Sequence, residues 1–484
     1  MENPRRDWRL WLALGILALI AFVLRSTDLE SRPMHTDEAV NAVILGNVLE
    51  GQVYRYDPED RHGPTLYFFA QPWLRLIGVD SLAQMEAWQL RLVPAFFGAA
   101  SILLLGLLVD GLGRAAVIGA GLIWAVYAPV VYFSRVFIHE PLFHFLLLLA
   151  LAAAWRWDRD RKWGWMVLAG VGVGLAQATK ETAVLVWGAG LIAVIITAST
   201  RERAASWLPA IFIGIAVALS AAVVAFSSFG QNWAGVLDAV TGYVGYARRA
   251  GGQGHEKPWF TYFIWLWKAG PVALCLLSVL LVVGCLRAWV ERHRDGLPAF
   301  LALSGFALLM FYSAIPYKTP WLMLAPVMVL TMVSAFGADW LIGFAPKVVR
   351  PWFAVVLAVA WVLPAAASTK RWCFERPIDE RNPFAYSPTV TDVRRLPEWI
   401  RTRAGDDPLI QVIGDDYWPL PWELRRFPRV GYWAQPPEKL DGDIVLASAD
   451  VVDEVSKRLG EGWRPGFFGL RPGVLILSFS REAL

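Results

Sequence analysis

Residues 90–133 read LRLVPAFFGAASILLLGLLVDGLGRAAVIGAGLIWAVYAPVVYF. Two apolar runs, 90–109 and 115–133, are joined by a short turn that carries Arg114. Each run is close to the length a helix needs to cross roughly 30 Å of hydrocarbon. A backbone in hydrocarbon must satisfy its own polar groups, which a helix does. Two such runs around a basic turn predict an α-helical polytopic membrane protein.

Runs of the same kind lie at 8–24, 141–155, 163–179, 182–199, 207–226, 269–287, 297–314, 321–343 and 352–368, which gives about 11 transmembrane helices in all. The runs at 141–155 and 163–179 are short for full spans. Composition agrees: the 484 residues are 56% hydrophobic and 18% charged, where a soluble domain is about 45–50% apolar and 25% charged. Lys and Arg set the sidedness. With a cytoplasmic N-terminus, every inside segment is basic: Arg5, Arg6 and Arg9; Arg114; Arg156, Arg159, Arg161 and Lys162; Arg201 and Arg203; Arg287, Arg292 and Arg294; Lys347 and Arg350. The net charge of +4 therefore reads as a topology signal and not as a nucleic-acid surface. No small-residue cleavage site follows Phe22, so the first run is expected to be retained as a helix. Cys275 and Cys285 sit ten positions apart on one apolar run, roughly 15 Å along a helix, and with Cys373 they make no disulfide framework.

The predicted organisation is a membrane domain over 1–368, with outer loops at 25–89 and 227–268, followed by a small extracytoplasmic α/β domain over 369–484. In the latter, strand-like runs occur at 409–413, 444–447 and 474–479, with a helix-like run at 451–459. No short-period repeat and no two-half symmetry is visible.

Directly after the first run come His35-Thr36-Asp37-Glu38 and then AVNAVILGNVLE, whose apolar residues suit an interfacial helix. Two readings are compatible. Thr36 caps the helix and the acids complement its dipole; and one acid is a general base set at the level of a lipid-linked headgroup. The adjacent carboxylate is expected to raise the basicity of Asp37. At 134–145 the chain reads SRVFIHEPLFHF, with Pro141 in a first helical turn and Glu140 at its start. His139 and His144 are five apart, which is not zinc-protease spacing. Lys180-Glu181, Arg248-Arg249, His255-Glu256-Lys257 and Tyr317-Lys318 fall on the same predicted outer face, where cations can neutralise a phosphate. For most of them a surface ion pair is the simpler reading. Lys180 and Lys318 differ, because neither has a long loop in which to escape the membrane. The 26 Trp read as interface-belt residues.

Taken together, the acidic pair after the first span, HGPTLYFF at 62–69, SRVFIHEPL, ATKETAVL at 178–185 and HEKPWFTY at 255–262 resemble the GT-C superfamily of membrane glycosyltransferases. The resemblance is to the bacterial and archaeal branch related to protein O-mannosyltransferases and aminoarabinose transferases, which includes flippase-activity-associated proteins, and it covers about 1–330. It implies a catalytic base in the first-loop acidic pair, an assisting acid in the second outer loop and a polyprenyl-phosphate sugar as donor. Asp37, Glu38 and Glu140 match the catalytic positions. His139, Lys180, His255, Lys257, Tyr317 and Lys318 are the candidate substrate-binding residues. The expected reaction is inverting transfer to a glycan, lipid or protein acceptor, with no cofactor. The same carboxylates can hold a divalent metal, although monosaccharide-phosphate users in this class generally need none. Two rival classes are a lipid-linked sugar flippase or other transporter, which predicts polar groups on broken helices near mid-membrane, and a non-catalytic glycolipid-binding assembly partner, which has no need of Asp37.

Overall fold

In the computed structural model, which describes residues 7–59, 61–198, 207–251, 256–292 and 296–481, helices cover all of the predicted apolar runs. The chain opens with α1 (Trp8–Ser26), and the first long loop carries α2 (Thr36–Leu49) and α3 (Thr65–Leu76). Then come α4 (Ala87–Leu104), the short α5 (Val109–Leu112), α6 (Arg114–Val126), α7 (Ala128–Phe133), α8 (Glu140–Asp160), α9 (Trp163–Gln177), α10 (Ala183–Ala198) and α11 (Leu208–Phe226). A second loop holds α12 (Ala234–Ala250) and α13 (Thr261–Ala269). The bundle ends with α14 (Pro271–Val290), α15 (Leu297–Ala314), α16 (Leu324–Phe344) and α17 (Arg350–Thr369).

Among the described residues, 7 helical stretches are long and apolar enough to cross a membrane, and α6, α9 and α10 are shorter apolar helices beside them. Length and composition thus support fewer spans than the expected 11. One reason is visible in α8: its 21 residues end in Arg156, Asp158, Arg159 and Asp160, which shorten its apolar part. A second is the run at 115–133, which is two helices. Tyr127 is extended between them, and Pro129 occupies the first turn of α7, where its missing N–H costs nothing.

The bundle is held by close backbone approach and apolar burial. α16 is buried along most of its length against α14, α15 and α6. α9 meets α11 through Gly170 and Gly174, where an added Cβ would come within 2.6 Å of the Gly214 carbonyl and 2.2 Å of the Ala218 carbonyl. Away from the inner cavity, α11 exposes Phe212, Leu219 and Val224, a surface that needs lipid.

Beyond α17 the helix continues as a wider turn over Lys370–Glu375. The C-terminal part is extramembrane and built on five strands: β1 (Ile410–Ile413), β2 (Val430–Trp433), β3 (Ile444–Ser448), β4 (Trp463–Arg471) and β5 (Val474–Arg481), in the order β2-β1-β3-β5-β4. β1 is parallel to β2 and β3, and β5 is antiparallel to β3 and β4. α18 (Leu396–Ala404) and α19 (Leu420–Glu423) cover one face, and α20 (Val452–Leu459) covers the other. The predicted strand and helix runs are all present. β2 and β4, which local pattern did not reveal, are the two edges: β2 has four residues, and β4 is interrupted by Pro465, Gly466 and Gly469, an edge-strand composition. The domain rests on the first loop. α19 packs on α2, Arg425 Nε donates to the Met85 carbonyl (3.1 Å), and Arg394 Nη2 donates to the Glu30 carbonyl (2.7 Å). The three cysteines are free.

Candidate functional site

The site begins at the first turn of α2. The helix is capped by His35, not by Thr36 as the sequence suggested: His35 Nδ1 accepts from the Asp37 N–H (3.1 Å), and the Glu38 carboxylate accepts from the His35 N–H (3.0 Å). Thr36 Oγ1 is buried with no hydrogen-bond partner.

The two adjacent acids have opposite environments. Glu38 is 0% exposed. Its Oε1 accepts from Arg91 Nε (2.8 Å), the Phe137 N–H (2.8 Å) and Arg32 Nη2 (3.2 Å), and its Oε2 from Arg91 Nη2 (2.7 Å) and the His35 N–H. Two oxygens offer about four lone-pair directions, so none is left for a substrate hydroxyl. Burial acts to raise its pKa, but Arg32 and Arg91 outweigh burial and hold it well below the ordinary carboxylate range. Asp37 is a side chain 44% exposed, with its carboxylate 3.9 Å from His35 Nδ1. It lines a small pocket with Arg32, Tyr132, Trp321, Phe384 and Tyr386. Arg91 is the frame of this corner. Besides Glu38, it donates to the carbonyls of Leu29 (2.6 Å), Arg32 (3.1 Å) and Pro33 (3.0 Å), so all five of its N–H groups are used.

The cations at 257 and 318 meet beside this pocket. The Lys257 N–H donates to the Pro316 carbonyl (3.1 Å), and Glu256 and Tyr317 form an antiparallel bridge, which draws the two loops together. Lys257 Nζ donates to the Tyr386 hydroxyl (3.3 Å) and lies 4.9 Å from its ring centre. Lys318 is 1% exposed and donates to the Ile315 carbonyl. Burial lowers both amines below the ordinary lysine range, and the neighbouring Lys257 charge lowers Lys318 further.

A second group lies at the start of α8 and the α9–α10 junction. Glu140 and Lys180 are buried and paired. Glu181 is buried and accepts from the Tyr56 hydroxyl (2.8 Å), with His62 Nδ1 at 2.8 Å. Burial pushes Glu181 up, while His62 and Tyr56 bring it down to about 2. His139 Nε2 sits 3.2 Å from the Gly63 carbonyl, and burial with His62 and Lys180 nearby keeps its pKa well below the usual histidine range. Gly63 is required: a Cβ there would lie 2.1 Å from the Ala178 carbonyl oxygen. Between the two groups, Tyr312 lies within the electrostatic reach of Glu140 and of Tyr262, and the Tyr262 ring centre is 6.0 Å from Lys318 Nζ.

A large apolar cavity of about 550 Å³ runs between α8, α9, α10, α11, α15 and α16. His144, one turn beyond Glu140, lines it at one end and Asp158 at the other, about 21 Å apart along α8.

The structure therefore brings Asp37, Lys257, Tyr317 and Lys318 to one place and Glu140, His139 and Lys180 to a connected one. It also engages Glu38 entirely within the protein. Arg248 is exposed on α12. His255 and the side chain of Arg249 lie outside the described residues. Sequence reasoning missed Arg91, His62 and Tyr386. Arg91 had a signal, being an arginine inside an apolar run. Among the described residues, no group of three His, Cys, Asp or Glu is disposed to hold a metal ion.

A family model described as dolichyl-phosphate-mannose-protein mannosyltransferase matches residues 66–230. No curated protein matches the sequence. Among solved structures, the chain is similar to ArnT from Cupriavidus metallidurans bound to undecaprenyl phosphate, at 15% identity and a TM-score of 0.66 over 96% of this chain and 97% of that one. It is also similar to the Archaeoglobus fulgidus oligosaccharyltransferase, at 14% identity and a TM-score of 0.59 over 96% and 74%. A third similar structure is the arabinofuranosyltransferase AftD from Mycobacteria, at 13% identity and a TM-score of 0.54 over 97% and 40%. The chain shares its fold with these structures over nearly its whole length, so the likeness extends over the C-terminal part as well as the 1–330 that the motifs covered.

Proposed function

We propose that this chain is an inverting glycosyltransferase that moves a sugar from a polyprenyl-phosphate donor to an acceptor at the outer face of the cytoplasmic membrane. The observation that carries the reading is the contrast within the acidic pair. Glu38 is buried and saturated, and by that means it fixes a helix start that presents the half-exposed Asp37 to a pocket beside the partly buried Lys257 and the buried Lys318. The similar ArnT structure is bound to undecaprenyl phosphate, which supports a lipid phosphate as the anion.

In this reading Asp37 takes the proton of an acceptor hydroxyl as that oxygen attacks the anomeric carbon from the face opposite the lipid phosphate. The bond to the phosphate breaks, and the leaving group departs as polyprenyl phosphate, its growing negative charge stabilised by Lys257 and Lys318. A single displacement inverts the anomeric centre. Glu38 and Arg91 are positioning residues. Glu140 neutralises Lys180 where the apolar cavity approaches the site, and the cavity suits a polyisoprenoid tail. Tyr317 and His139 shape the two substrate-binding groups, and His255 is proposed with the former by its place next to Glu256-Lys257. A metal has no role in this scheme. The cytoplasmic N-terminus, the outside location of residues 369–484 and the resulting odd span count follow from the basic loops.

The test is direct. Purified protein, supplied with polyprenyl-phosphate sugars and acceptor extracted from prokaryotic membranes, is expected to release free polyprenyl phosphate, read by mass spectrometry. Folded protein that releases none overturns the enzyme reading, and movement of intact donor between leaflets without release favours the flippase.

Two further expectations attach to this reading. Lys318→Gln should weaken undecaprenyl phosphate binding by about tenfold or more, since it removes a charged donor at a poorly solvated site. Because both lysines lose their protons more readily than an exposed lysine, affinity should be highest with both charged and should fall on the alkaline side before the ordinary lysine range. Binding titrations over pH check both points. A cysteine placed at Ser387, which is exposed, should react with an impermeant thiol reagent in intact cells, and labelling only after lysis would reverse the sidedness.

A further inference from the structure

The segment after the bundle forms a wall of the Asp37 pocket: Ile378, Phe384, Ala385, Tyr386, Pro388 and Thr389 line it. Its ends are tied. The Tyr132 hydroxyl donates to the Pro377 carbonyl (2.9 Å), and Thr389 Oγ1 donates to the Met34 carbonyl (2.7 Å). Asn382 Nδ2 fixes the first turn by donating to the carbonyls of Trp372 and Arg376, both at 2.9 Å.

Between these anchors, Tyr386 reaches both sides of the site. Its carbonyl lies 2.7 Å from His35 Nε2. Because His35 Nδ1 accepts from the Asp37 N–H, Nε2 carries the ring proton and donates to Tyr386. Its hydroxyl accepts from Lys257, and its ring meets Trp321 edge-on at 6.0 Å. The pocket between them is about 30 Å³, room for one or two waters, and the Asp37 side chain stays 44% exposed beside it. The next residue, Ser387, has φ of +44°. Such a left-handed conformation is costly for a residue with a Cβ, and a position before proline is disfavoured in helical conformations as well. Strain is thus held directly beside Tyr386.

We propose that Tyr386 is a positioning residue of the donor site, whose hydroxyl holds the Lys257 ammonium until a lipid phosphate takes it. This rests on the glycosyltransferase reading above. The exchange is favourable in kind. Both bonds are charge-assisted by the ammonium, but the phenol at 3.3 Å is a neutral acceptor, whereas a phosphate oxygen adds its own negative charge and makes a shorter bond. The anchors at 377 and 389 and the bond of His35 to the Tyr386 carbonyl do not need to break for the hydroxyl to give up the ammonium. The C-terminal part is thereby a component of the active site: the contact between His35 and Tyr386 joins the cap of α2 to the segment that carries the acceptor of Lys257.

Equilibrium binding of undecaprenyl phosphate to the purified full-length protein tests the proposal. Tyr386→Phe keeps the ring and removes the competing acceptor, so affinity should rise roughly threefold to tenfold, the worth of one net hydrogen bond. Lys257→Gln should weaken binding, and in that background Tyr386→Phe should have no effect. Melting temperatures confirm that the variants are folded. Unchanged affinity in Tyr386→Phe, or the same change with and without Lys257, overturns the proposal and leaves the donor reading intact. Folded wild-type protein that binds no undecaprenyl phosphate overturns both.

Discussion

Asp37→Asn is expected to lower sugar transfer by about 100-fold or more, the usual contribution of a positioned general base, while undecaprenyl phosphate binding and melting temperature stay near wild type. The substitution keeps the size of the side chain. It leaves the cap in place as well, because the Asp37 contribution to the cap is its backbone N–H, which donates to His35. What is lost is the ability to accept a proton. The dipole of α2 favours a negative charge at this position by only about 0.3–1 kcal/mol, so loss of the charge by itself has a small effect on stability. Transfer assays under single-turnover conditions separate the chemical step from product release. Near wild-type transfer by the folded variant would sink the base assignment and leave Asp37 as a helix-terminal charge.

The helical class was legible because hydrocarbon leaves few backbone choices, and every apolar run became helix. The span count was less legible, since a run such as 141–155 can belong to a helix whose last turn is charged. The start of α8 at Glu140-Pro141 was read correctly, because proline at a first turn is a local signal. Inner strands of the C-terminal sheet were visible as apolar runs, whereas the edge strands, half-exposed and broken by Pro and Gly, were not.

At the site, the order of residues along the chain brought out Asp37 and the cations as candidates but not their partners. The contact of His35 with Tyr386 joins residues 351 positions apart, and no local pattern reports it. The helix cap was misassigned because threonine is the commoner cap, while here the ring nitrogen of the preceding histidine is already in reach. Arg91 was readable in principle: a guanidinium at the start of an apolar run must find acceptors, and it finds one carboxylate and three carbonyls.

The same network makes Glu38→Gln the substitution with the largest expected cost to stability. Among the described residues, Glu38 is the one carboxylate bonded to both Arg32 and Arg91, each of which is buried. The amide replaces an acceptor oxygen with a donor that would face Arg91 or Arg32, and two buried guanidiniums lose their counter-charge. Breaking a buried pair by removing one partner costs about 3–5 kcal/mol, more than an exposed ion pair could account for. The sign with pH follows from the lowered pKa of Glu38. Its stabilising effect is complete above the ordinary carboxylate range and is lost as pH falls through the depressed folded value. Thermal unfolding in detergent should show a large drop for Glu38→Gln at neutral pH and a smaller difference from wild type in strong acid. Transfer should fall along with stability, whereas in Asp37→Asn it falls alone. A Glu38→Gln protein that melts with wild type but transfers no sugar would instead place Glu38 in the chemistry, and Asp37 would lose its claim to be the only reactive acid of the pair.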